Sequence, residues 1–138
     1  MAYWIFKSEP SCWSWDDQVK AGVAEWDGVR NYQARAHMMS MALGDKGFFY
    51  HSVTEKRLVG IVEVVRLYYP DPSDESGRFG MVDVRALGPL RRPVSLQEIK
   101  ADGRLSHLPL LRQSRLSVSP VDDDAWCVLL TLAGHERS

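Results

Sequence analysis

The chain has 138 residues, 45% of them hydrophobic, a formal net charge of -1 and a sequence pI of about 6.4. That length and apolar content exclude a disordered chain and predict one domain over residues 1–138, built on a real core. The near-neutral balance excludes a protein that coats nucleic acid by bulk charge, while allowing a local basic face.

Cys12 and Cys127 form no Cys-x-x-Cys pair, so neither a disulfide framework nor a zinc site is implied. His37, His51, His107 and His135 show no paired ligand spacing, and neither a metal nor a cofactor is expected. Met1–Lys7 lacks a basic n-region, and Lys7 cuts its apolar run short. No apolar run approaches the length needed to cross a bilayer, and a cytoplasmic location without membrane association is expected.

Tyr3–Ser8 is aromatic and β-branched enough for a first strand, with Trp4 and Phe6 on one face and Tyr3, Ile5 and Lys7 on the other. Pro10 ends it, because proline cannot donate to a ladder. Ser14-Trp15-Asp16-Asp17 reads as a capping box opening a short helix to about Ala21, ahead of Gly22. Trp13 and Trp15 read as packing against the sheet.

Trp26-Asp27-Gly28-Val29-Arg30-Asn31-Tyr32 is a loop of unusual composition. Asn31 suits the N-cap of a helix Tyr32–Leu43, and Gly44 suits its C′ position. The loop delivers an aromatic ring, a guanidinium and an amide to a helix N-terminus, where unpaired N–H groups favour an anion. A flat ligand carrying a phosphate, such as a nucleotide, suits that arrangement. Local chemistry alone favours a plainer reading, with Trp26 and Tyr32 in the core and Arg30 as a surface ion-pair partner. Against it, no apolar period commits Trp26 to the core. Ala34, Met38 and Met41 recur at helical spacing as a buried stripe, and His37 is expected to be exposed or satisfied locally.

Phe48–Ser52 is the next strand, with Phe49 and His51 on one face and Phe48, Tyr50 and Ser52 on the other. Leu58–Leu67 follows, apolar on both faces: Val59, Ile61 and Val65 on one, and Leu58, Val62 and Val64 largely on the other. Tyr69–Gly77 carries every loop signal and is expected to be the most mobile segment. Met81–Leu87 is a strand with Val82 and Val84 facing away from Asp83 and Arg85. Ser95-Leu96-Gln97-Glu98 is a second capping box, and Leu105–Leu111 is an apolar turn broken by Pro109. Ser114–Pro120 reads as a last strand ended by proline. Asp122-Asp123-Asp124 then opens a C-terminal helix anchored by Trp126, Leu129 and Leu130. Five or six mostly antiparallel strands with short helices between them predict an α+β fold, a small, mixed, partly open β-barrel flanked by helices.

Several stretches are more specific than this pattern. Tyr3-Trp4-Ile5-Phe6-Lys7-Ser8-Glu9-Pro10, Gly28-Val29-Arg30-Asn31, Gly44-Asp45, Phe49-Tyr50-His51-Ser52, Val59-Gly60-Ile61 and Ser114-Arg115-Leu116-Ser117-Val118 occur together and in order. The chain thereby resembles the EVE domain family over nearly its whole length. The resemblance implies a PUA-like barrel, a fold shared with the YTH and ASCH domains. It also implies a reader of modified bases in DNA or RNA, above all modified cytosines such as 5-methylcytosine. Phe79-Gly80-Met81 departs from the family, which often has tryptophan before this strand, and Ser119 stands where glutamine is common.

A base reader needs aromatic faces, donors and acceptors for the base edge, and cations for the flanking phosphates. Trp26, Tyr32 and Tyr50 are the slot candidates, with Val29 beside them. Ser8, Asn31, His51 and Ser52 are candidate edge readers, and Lys7, Arg30, Arg35 and Arg115 are candidate phosphate contacts. The resemblance moves Trp26, Arg30 and Asn31 from the plain reading to a functional one. No catalytic residue is nominated, because neighbouring strand residues such as His51 and Ser52 point to opposite faces and cannot act as base and nucleophile. The partner expected is nucleic acid with a modified base, bound by a monomer. The alternatives are a small hydrolase or a sensor acting on a modified nucleoside or other metabolite.

Overall fold

A computed structural model describes residues 1–135. Six strands form one sheet: β1 Tyr3–Ser8, β2 Val23–Glu25, β3 Lys46–His51, β4 Arg57–Pro70, β5 Gly80–Ser95 and β6 Val118–Val121. Their order is β2-β5-β4-β3-β1-β6, with β1 and β3 parallel and the other pairs antiparallel. The end strands β2 and β6 do not pair with one another, so the sheet is mixed and not closed. The helices are α1 Trp15–Ala21, α2 Tyr32–Met39, α3 Leu96–Ala101, α4 Pro109–Arg112 and α5 Asp123–Leu132, with a 3₁₀ turn at Gly103–Leu105. No helix among the described residues is long and apolar enough to cross a membrane.

Alternation along β1 and β3 sends side chains into two cores, one on each face of the sheet. Trp4, Phe6 and Phe49 pack with Trp15, Trp26, Ala34 and Met38 in the first. Ile5, Phe48 and Tyr50 pack with Ile99, Trp126 and Leu129 in the second. The helix starts follow the capping chemistry. Ser14 with Asp17 and Ser95 with Glu98 form complete capping boxes, and Asn31 and Asp122 accept from Ala34 N–H and Ala125 N–H.

Several sequence expectations change. Helix α2 stops at Met39 rather than Leu43, because Asp45 offers its backbone a competing acceptor. The buried Asp45 carboxylate takes Ala42 N–H at 2.9 Å, Ala2 N–H at 3.1 Å and Trp4 Nε1–H at 3.1 Å. Gly44 accordingly adopts its left-handed φ of 88° in the turn before β3, where its N–H meets Val64 O, and not at a helix end. Met41 is buried as expected, but beyond the helix. His37 is half-buried against the Trp4 ring, and its Nε2 has no hydrogen-bond partner among the described residues.

On β4, register shifts between Leu58 and Gly60 and between Ile61 and Val62 reset the alternation. Val62 and Val64 therefore join Val59 in the first core, while Ile61 packs with Leu58 on the second. The last strand begins at Val118 and contains Pro120 instead of ending before it. An edge strand tolerates this, because the missing N–H costs no central ladder bond.

Gly60 is fixed by packing: a Cβ there would meet the Trp15 ring at 2.5 Å. Gly60→Ala is expected to lower stability by about 1–3 kcal/mol through overpacking. Denaturant unfolding checks this, and a variant as stable as the parent would show that Trp15 can move aside freely.

Candidate functional site

The end of β1, strand β2 and the 26–31 loop surround an open cleft of about 840 Å³. Trp13, Trp26 and Val29 supply its apolar wall, and Lys7, Arg30, Asn31 and Arg115 supply polar groups. Trp26 is held by its N–H donating to Val82 O at 2.8 Å, and its ring meets Phe6 and Phe49 edge-on at 5.2 and 5.5 Å. With 7% of its surface exposed, Trp26 is a core residue as well as part of the cleft wall. The expectation that nothing commits it to the core is corrected: its commitment comes from long-range contacts that no local period reveals. Asn31 Oδ1 accepts from Ala34 N–H at 2.9 Å, so the cap occupies the oxygen of a residue that lines the cleft and leaves its amide nitrogen outside the cap.

The loop that forms the cleft's rim is fastened by a residue with no motif of its own in the sequence. Asp71, 3% exposed, accepts from Gly28 N–H at 2.9 Å and from Arg30 Nη1 at 3.2 Å, and its other oxygen accepts from Ser73 N–H at 2.8 Å. Burial alone would raise its pKa. The hydrogen bonds from Ser73, Gly28 and Arg30 outweigh burial and hold it at about 2. Arg30 also donates to Val29 O and Ser73 Oγ and lies over the Phe79 ring. Of Tyr69–Gly77, expected to be a mobile loop, Tyr69 and Pro70 belong to β4, paired with Met81 and Gly80, and the rest is internally bonded: Asp74 accepts from Phe79 N–H at 2.7 Å and from Ser76 N–H at 3.0 Å.

Not every candidate lies in the cleft. Tyr32 is 57% exposed and packs on Phe79, with Arg35 over its ring and donating to Arg78 O. Neither lines the cleft. His51 is buried and braced: Nε2 accepts from Trp15 N–H at 2.9 Å, and Nδ1 faces Glu55 Oε1 at 3.1 Å. Both ring nitrogens are therefore occupied within the chain. Tyr50 and Ser52 face a second cavity on the other side of β1. Burial pushes the Tyr50 hydroxyl up to about 12 and pulls the Lys7 pKa down. Lys7 Nζ donates to Ser114 O at 2.7 Å, and Ser8 Oγ donates to Trp13 O at 2.7 Å.

Lys7, Ser8, Trp26, Val29, Arg30, Asn31 and Arg115 are thus brought together, and Tyr32, Arg35 and His51 are left outside. Trp13 joins the cleft although it reads from sequence only as sheet packing. Asp71 had no local signal, being 41 residues from Arg30. Of the two family departures, Phe79 touches Arg30, while Ser119 is wholly buried opposite Ile5 and reaches neither cavity.

Asp71→Asn is expected to destabilise the chain at neutral pH by about 2 kcal/mol, the value of a carboxylate held nearly two units below its ordinary pKa. The sign follows from the lowered pKa: Asp71 contributes its stability above about pH 4, and loses it as pH falls toward 2. Denaturant unfolding of parent and variant across that window should show the gap narrowing with acid. A gap independent of pH would show that the carboxylate's charge contributes nothing.

The model of the family described as "EVE domain" matches residues 2–132. Mouse thymocyte nuclear protein 1 is 33% identical over 175 aligned residues, covering 99% of this chain and 75% of the relative. A solved protein structure from Agrobacterium tumefaciens is 43% identical, with a TM-score of 0.97 over 100% of this chain and 97% of that one. The structure of human thymocyte nuclear protein 1 in complex with DNA containing 5-methylcytosine is 31% identical, with a TM-score of 0.89 over 99% of this chain and 100% of that one. With the match running from the first strand to the last helix, the chain belongs to the EVE domain family and has its PUA-like fold.

Proposed function

We propose that this chain is a non-catalytic reader of a modified base in nucleic acid, with modified cytosine as the base and the 26–31 cleft as its slot. The observation that carries this reading is the composition of the cleft: Trp13, Trp26 and Val29 on its wall, and Lys7, Arg30 and Arg115 around it. A base offers a π-face to an aromatic wall, and its phosphates call for cations. The Asn31 amide N–H is suited to an acceptor on the base edge, since its oxygen is committed to the cap. The human relative's complex with DNA containing 5-methylcytosine supports both the polymer and the base.

A hydrolase needs a nucleophile within reach of a base. His51 is turned to Trp15 and Glu55, and no histidine lines the cleft. Cys12, Glu25 and Asp27 also line the cleft, so it is the human relative's complex with DNA that favours binding over turnover.

Asn31→Asp separates reading from capping. Aspartate keeps the capping oxygen, so melting should not change. It removes the donor and adds repulsion near phosphate, so affinity should fall by about 1–3 kcal/mol. The measurement is a titration with a short DNA duplex carrying one 5-methylcytosine, beside an unmodified duplex, followed by recovery of the nucleosides. Equal binding and discrimination by parent and variant would reduce Asn31 to a cap. A parent that cannot tell the duplexes apart, or that alters the recovered nucleoside, would overturn the reader.

A further inference from the structure

The cleft has a neighbour. A second cavity of about 610 Å³ lies behind it, on the side of β1 that carries Tyr50 and the second core. Lys7, Arg115 and Ser117 line both spaces, so the end of β1 and the segment before β6 form a ridge between them. Lys7 N–H donates to Ser117 O at 2.9 Å and bonds the two halves of that ridge.

Three features of this cavity point to an anionic ligand. Its charge is one: Lys7, Lys56, Lys100 and Arg115 line it against a single acid, Glu9, in a chain whose net charge is -1. Tyr50 is another. It is 3% exposed, yet its hydroxyl makes no hydrogen bond to a described residue and faces the cavity. Its oxygen is open to the cavity and not sealed in the core, so it is free to donate to a ligand there.

The third is backbone strain. Val53 and Lys56, with φ of 71° and 51°, are the only non-glycine residues with positive φ among the described residues, and both line this cavity. Thr54 N–H donates to Ser52 O at 2.9 Å, which makes Val53 the centre of a γ-turn, a rare conformation and a costly one for a β-branched residue. The strained loop is pinned where Leu96 N–H donates to Lys56 O at 2.8 Å, joining it to the start of α3, the helix that carries Lys100. Strain of this kind persists where the surroundings over-determine it, and it clusters at ligand sites.

We propose that the second cavity holds the sugar-phosphate backbone immediately beside the nucleotide whose base enters the first cleft, with Lys56 and Lys100 as its phosphate cations and the Tyr50 hydroxyl as a donor. This rests on the base-reader reading for the cleft. The backbone crosses the ridge at Lys7 and Arg115, which face both spaces. The chain then reads one base and grips the strand next to it.

The test compares the parent with Lys56→Gln/Lys100→Gln, whose side chains are exposed and whose removal should leave melting unchanged. The ligands are a duplex with one central 5-methylcytosine, the same duplex unmodified, and free 5-methyl-deoxycytidine monophosphate. For the duplexes, affinity should fall about tenfold at about 0.1 M salt, and the slope of log affinity on log salt should shrink by about 1.8, at ~0.9 for each phosphate no longer neutralised. The ratio between modified and unmodified duplex should not move, and the mononucleotide should bind both proteins alike. An unchanged slope in a parent that discriminates overturns the second cavity alone. A reduced slope in a parent that does not discriminate upholds the second cavity and overturns the base slot. Equal weakening for mononucleotide and duplex assigns Lys56 and Lys100 to the reading nucleotide's own phosphate and overturns the backbone proposal. A parent that binds none of the three overturns both.

Discussion

The buried carboxylate of Asp71 is the constraint on which the cleft depends. A carboxylate taken out of water is costly unless it is fully bonded, so Asp71 must collect donors. It collects them from two segments distant in sequence: Gly28 and Arg30 on one side, and Ser73 on the other. The glycine is required, because Gly28 sits at a φ of 76° while donating its N–H to the acid. The loop carrying Trp26 to Asn31 is thereby referenced to the β4–β5 connection. Arg30 gains a fixed origin for a long, otherwise mobile side chain, so its guanidinium serves the ion pair and the cleft together.

Strand β1 supplies the complementary constraint. It is flanked by β3 and β6, and its end is held by the β3 ladder at Lys7 and Ser8 and by Lys7 N–H on Ser117 O. Successive residues there alternate between faces. Ser8 reaches only the first cleft, and Lys7, with its longer stem, reaches both cavities. A rigid strand end between two loop-built spaces is a suitable mount for a site that must hold its geometry.

What was legible from sequence was local. The capping boxes at Ser14 and Ser95, the cap at Asn31, the acids that open the C-terminal helix, and the alternation along β1 and β3 are set within four or five residues, and all appear as read, with Asp122 serving as that helix's cap. What was not legible depends on partners far along the chain. His51 reads as a base-edge donor until Trp15 N–H, 36 residues away, is found on its Nε2. The bulges of β4 move Val62 and Val64 to the face of Val59, although the unbroken alternation predicts otherwise. Tyr32 looks like core or slot from its ring alone, but helix α2 starts there, with its buried face at Ala34 and Met38 and Tyr32 outside. The family resemblance supplied the fold and the ligand class, which periodicity and spacing alone left as a barrel with a nucleotide-friendly loop.

The position of Trp26 bears on how such a slot works. An exposed aromatic wall would be free to rotate, and its ordering would subtract from any stacking energy. Here the ring is clamped edge-on between Phe6 and Phe49 and its backbone is bonded to Val82, so its orientation is fixed before a ligand arrives. Rigidity here has a structural consequence: the wall of the cleft and the first core share one side chain. The cations are placed differently. Lys7 and Arg115 stand where the two cavities meet, while acids elsewhere bring the whole chain to -1. Positive charge is thus placed at the ridge of a chain that is close to neutral as a whole. A chain charged this way has little to gain from covering a polymer and much to gain from one well-placed contact, which is the electrostatic counterpart of a single fixed aromatic wall.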